Sequence, residues 1–113
     1  MNPRPIELHP EAIAEARDAH EWYAERSAVA ADAFMAELDA AINGICQWPD
    51  RWAVYLHGTR RYLLKRFPYL VIYRATADKL QVIAVAHGRR KPGYWRHRIA
   101  TTRRPGRRQQ NAE

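Results

Sequence analysis

Residues 60–95, RRYLLKRFPYLVIYRATADKLQVIAVAHGRRKPGYW, constrain the fold more than any other stretch of the chain. Three runs rich in β-branched and aromatic residues follow one another, at about 60–67, 69–76 and 79–88. The connections between them are short. Phe67-Pro68-Tyr69 suits a tight turn, because Pro68 cannot donate to a sheet ladder. Ala77-Asp78-Lys79 forms the second turn. Runs joined this closely pair as an antiparallel meander. In the middle strand Tyr69, Val71 and Tyr73 alternate with Leu70, Ile72 and Arg74. In the last, Leu80, Val82, Ala84 and Ala86 alternate with Gln81, Ile83, Val85 and His87. One sheet face is expected to cover the helical part of the chain, and the other to stay at least partly open.

Cations and aromatics bracket this sheet. Arg60, Arg61, Lys65 and Arg66 lie in front, and His87, Arg89, Arg90, Lys91, Tyr94 and Trp95 behind. A meander gathers both groups on one scaffold, which suits RNA, DNA or an acidic protein as partner. The net charge of +7 is unevenly placed: from Arg51 onward the only acids are Asp78 and Glu113. The basic half is therefore the part that meets a polyanion or an acidic partner.

The first half reads as a short strand and two helices. In PIELH (5–9), Ile6 and Leu8 alternate with polar residues, as in a strand. Pro10 and Glu11 suit the first turn of a helix running to about Arg26, with Ile13, Ala16, His20 and Tyr23 inward and Trp22 off that stripe. Ser27 caps a second helix over Ala28–Gln47, with Ala31, Phe34, Leu38, Ala41, Ile42 and Ile45 on one face. Pro49 stops it, and Trp52 and Tyr55 pin the following loop to the core. The expected class is α+β, a two-layer β-α-α-β-β-β fold with an N-terminal strand, a helical hairpin and a three-stranded antiparallel meander.

At 113 residues and 47% hydrophobic, the chain is expected to form one domain, over 1–100, followed by a basic, disordered tail over 101–113. No apolar run approaches the roughly 20 residues of a membrane span. The start shows no signal peptide. The single Cys46, set among Ile42, Ile45 and Trp48, reads as a small buried hydrophobe, and a cytoplasmic setting follows. The histidines have no acid or cysteine at ligand spacing, so no metal site and no cofactor are expected. Asp18, Glu21 and Glu25 read as a solvated helix face.

Five segments together resemble the RelE/ParE superfamily of bacterial toxins from type II toxin–antitoxin modules. They are EWYAERS (21–27), AADAFMAELDAAINGI (30–45), WPDRW (48–52), RRYLLKRFPYLVIYR (60–74) and VIAVAHGRRKPGYWRHR (82–98). The resemblance covers about residues 5–98. It implies a compact toxin neutralised by a cognate antitoxin from the same operon.

Two activities occur on that scaffold. ParE-like members poison DNA gyrase, whereas RelE-like members cleave mRNA on the ribosome. The second would need a base, phosphate-binding cations and an acid, for which the resemblance offers His87, Arg89, Lys65 and Tyr94. RelE-like enzymes often carry an arginine early in the middle strand, where this chain has Leu70. The wording FPY…IYR and the long helical hairpin favour the ParE-like branch, a gyrase inhibitor and not an enzyme. Arg60, Arg61, Arg66, Arg90, Lys91, Trp95, Arg96 and Arg98 are then the expected target-binding residues.

Overall fold

The computed structural model describes residues 5–102 of the chain. Strand β1 (Ile6–Leu8) leads into helix α1 (Pro10–Ala24), and a three-residue turn joins it to α2 (Ala28–Gln47). The helix starts follow local chemistry. His9 Nδ1 accepts from the Glu11 N–H at 3.1 Å, with Pro10 at the first helical position, and Ser27 Oγ accepts from the Ala30 N–H at 3.1 Å. Strands β2 (Ala53–Val54), β3 (Arg60–Leu63), β4 (Tyr69–Ala75) and β5 (Leu80–His87) follow, and helix α3 (Arg96–Thr102) ends the described chain.

The sheet order is β1-β5-β4-β3-β2. The predicted meander is β3-β4-β5, antiparallel throughout, with Arg61 opposite Ile72 and Val71 opposite Val85. Strand β1 adds in parallel to the outer side of β5, Ile6 opposite Leu80. The loop after α2 contributes the short edge strand β2, which the sequence did not announce. Strand β3 ends at Leu63, so Lys65 and Arg66 lie in the turn after it and not on the strand as expected.

Two apolar clusters sandwich the sheet. Against the helices lie Val71, Tyr73, Leu80, Val82 and Val85, meeting Phe34, Leu38, Ala41 and Ile45 of α2 and Ala12 and Ala19 of α1. Helix α1 is rotated from the expected stripe: Ala12 and Ala19 are buried, whereas Ile13 is 42% exposed. On the other face, Ile72, Ile83, Ala84 and Ala86 are covered by Trp95 and Ile99, with Tyr55 and Tyr94 alongside. That face is therefore closed over these residues and open only beside them, in keeping with the partly open face expected. The strict alternation expected in β5 fails at a register shift. Ile72 pairs with Ala84 but Tyr73 pairs with Val82, so Ile83 is the extra residue of a bulge. Val82 and Val85 consequently face the helices, while Ile83 and Ala84 both face Trp95. The domain boundary expected after residue 100 falls inside α3, and residues 103–113 of the expected tail lie outside the described residues.

Candidate polyanion-binding site

Strand β1 reaches only Val82, so the outer edge of β5 has no strand partner beyond it. An ion pair takes that place. Glu15 of α1 accepts from the Val85 N–H at 2.9 Å, and Arg98 of α3 donates to the Ile83 carbonyl at 3.1 Å. The two side chains also meet in a two-pronged contact, both N···O distances 2.9 Å, and the Tyr94 hydroxyl donates to Glu15 at 2.5 Å. Burial opposes the Arg98 charge, but the Glu15 hydrogen bonds and field outweigh it and hold the guanidinium more firmly protonated than usual. This brace fixes α3, and with it the segment 88–95, against the sheet.

Trp95 is the floor of that segment. It is 1% exposed, and His57 and Tyr55 from the loop after α2 pack on its ring. Gly93 turns the chain toward it with φ +85°, a conformation that side chains resist. Trp95 and Arg98 were expected to touch a target. Both are structural instead: the indole is buried, and Arg98 is 4% exposed and neutralised by Glu15. Arg60 also turns inward, donating to the Asp50 and Trp52 carbonyls at 3.2 and 2.6 Å. Arg66 is exposed but pairs with Glu37 of α2 at 3.2 Å. Arg96 lies exposed on α3.

The residues that do converge are Arg61, His87, Arg90 and Lys91. They line a pocket of about 230 Å³ on the Trp95 side of the sheet, whose walls include Leu70 and Ile72. Arg61 stacks over the Tyr55 ring, 4.8 Å to its centre, and Arg90 over Tyr94 at 3.8 Å. A second cleft, of about 440 Å³, opens on the α1 side of His87 between Trp22, Tyr69 and Tyr94, with Asp18 on its wall.

Of the four nuclease candidates, His87 and Tyr94 line both clefts together, whereas Lys65 and Arg89 line neither. His87 ends β5 edge-on to Tyr69, and its Nδ1 accepts from the Arg89 N–H at 3.0 Å. That bond occupies the Nδ1 lone pair. Tyr94 is a poor acid. Burial first, and then the Glu15 carboxylate it bonds, push its deprotonation well above the ordinary tyrosine range. Lys65 lines neither cleft beside His87; its backbone N–H, like that of Arg66, is bonded to Glu37 across the β3–β4 turn. Arg89 is exposed beyond the strand end. Leu70 stands where RelE-like enzymes often have an arginine and packs in the second cluster.

Glu15 was missed by sequence reading. Its position three residues after Ala12 and four before Ala19 places it on the buried stripe, and an acid there demands a cation. That signal was readable once the stripe was phased correctly. No helix among the described residues is long and apolar enough to cross a membrane.

Comparison with known proteins gives one family. The family described as the ParE toxin of type II toxin-antitoxin system, parDE, matches residues 6–92. No curated protein sequence matches the chain. Among solved structures, a chain of the chromosomal ParDE TA system from P. aeruginosa is similar, with TM-score 0.66 at 15% identity, over 74% of this chain and 95% of that one. At that identity the likeness supports the fold.

Proposed function

The chain belongs to the ParE toxin family of type II toxin–antitoxin systems, and on that premise we propose that it arrests growth by inhibiting DNA gyrase in the cytoplasm until a cognate antitoxin neutralises it. The family match over residues 6–92 carries this reading. Lys65 and Arg89 lie outside the clefts that His87 and Tyr94 share, and Tyr94 is tied to Glu15, which supports it against the ribosome-dependent nuclease. Inhibition needs no cofactor and no reacting group. It needs a rigid cationic surface, and Arg61, Arg89, Arg90, Lys91 and Arg96 provide one.

The antitoxin segment is acidic and folds as it binds. Its apolar side chains enter a groove of about 380 Å³ between the two helices and the sheet edge, lined by Leu8, Ile13, Ala16, Met35 and Ile42 and rimmed by Arg17 and His20. The test is a supercoiling assay with purified gyrase and no ribosomes. Inhibition that is reversed by adding the antitoxin is expected. Unaltered supercoiling together with cleavage of mRNA on programmed ribosomes would establish the nuclease instead.

A further inference from the structure

The pocket around Arg61 has a lining with no acid in it. Arg61, Arg90 and Lys91 all face the same 230 Å³, beside Gly88 and His87. Like charges gathered on an apolar floor repel one another unless an anion joins them. Among the described residues none of the three has a carboxylate within ion-pair distance, and the Arg61 Nε–H is buried without a hydrogen-bond partner. A buried donor left open costs free energy, so the Arg61 side chain is not settled where it lies, and a shift toward an anion in the pocket would let this N–H find an oxygen.

We infer that this pocket binds one phosphodiester group of duplex DNA through its oxygens, and binds it without cutting it. The aromatic rings decide between phosphate and base. Trp95 is buried, Arg61 covers Tyr55 and Arg90 covers Tyr94, so in this pocket each of the three rings is already occupied on a face. What remains open is charge, and charge reads the DNA backbone and not its sequence. The lining holds no carboxylate, and the His87 Nδ1 lone pair is taken by the Arg89 N–H, so the group would be held intact. This deepens the gyrase reading, since gyrase works on DNA. It rests on that reading for the source of the phosphate, and its test uses no gyrase.

The full chain is titrated with a fluorescent duplex of arbitrary sequence over a range of salt, and separately with inorganic phosphate while the Arg61 Nε–H signal is followed by NMR. Expected are binding independent of sequence, movement of that signal by phosphate, and an affinity loss of about tenfold to a hundredfold in Arg61→Gln. The salt slope should fall by about one in Arg61→Gln and again in the exposed Lys91→Gln, which does not threaten folding. Equal affinity and slope for wild type and both variants overturn the pocket. So does saturation by an acidic peptide with no response to duplex or phosphate, which would make the site a protein contact. Gyrase inhibition without phosphate binding sinks this inference alone, whereas duplex binding without gyrase inhibition sinks the proposed target.

Discussion

Replacing Glu15 by alanine removes the one carboxylate that meets Arg98, Tyr94 and the β5 edge at once. The guanidinium is 4% exposed and cannot be rehydrated in place. Only the half-exposed Glu11 carboxylate, 3.4 Å from Arg98, would remain as a partner, so the loss approaches the roughly 3–5 kcal/mol of a buried charge left unpaired. The Val85 N–H and the Tyr94 hydroxyl lose their acceptor as well, at about 1–3 kcal/mol each when no water reaches them. These costs do not add, because α3 can instead leave the sheet and hydrate Arg98. The price of that escape, uncovering Trp95 and Ile99, sets the ceiling. A loss of about 3–4 kcal/mol is therefore expected, a large part of the 5–15 kcal/mol typical of a domain. Arg98→Met should cost less, since Glu15 is 17% exposed and can draw in water. Urea unfolding measures the loss, and a fall of more than about 1 M in midpoint is expected for Glu15→Ala. Hydrogen exchange at the Val85 amide locates it. A loss under about 1 kcal/mol, with that amide still protected, would refute the view that the ion pair replaces a missing strand.

Three other outcomes are expected. Glu37 is held below the ordinary glutamate value near 4.5: burial pushes its carboxyl up, and the Lys65 and Arg66 N–H groups with the Arg66 guanidinium push it further down. Its stabilising share is thus present above that value and lost as pH falls through the depressed one, so Glu37→Gln should flatten the acid limb of a stability-against-pH curve below about pH 4.5. Tyr73 donates to the Pro49 carbonyl at 2.6 Å, and burial raises its pKa to about 12; Tyr73→Phe should cost about 1–2 kcal/mol in thermal unfolding and abolish any tyrosinate signal from this residue at high pH. Gly93→Ala meets no severe clash but is strained at φ +85°, so a loss of about 1–2 kcal/mol and a red-shifted Trp95 emission should appear together.

The sequence announced what repeats and hid what depends on a single event. Helix α2 was legible to the residue, because Ser27 caps it and Phe34, Leu38, Ala41 and Ile45 keep helical spacing. The meander was legible from alternation in β4. In β5 one extra residue at Ile83 reversed the alternation, and no local pattern marks a bulge of that kind. Helix α1 carries so many alanines that its inward face was ambiguous, and misphasing it concealed Glu15. Once Glu15 was missed, Arg98 counted as a free surface cation and Trp95 as an open ring. The cations Arg61, Arg90 and Lys91 were named from sequence. That they share a pocket while Arg60 and Arg98 do not follows from pairing register, with Arg61 opposite Ile72.

The parallel contact between β1 and β5 has a consequence for biosynthesis. Leu8 must wait for Val82, and Glu15 for Arg98, before either finds its mate. At about 5–20 residues per second, roughly 4–14 s of translation separate the two strands. A polypeptide interrupted anywhere before Leu80 lacks both the closing strand and the arginine-bearing helix. Translation products cut short before that point therefore carry a sheet without its interior β5 strand and a helix α1 whose Glu15 has no guanidinium to meet.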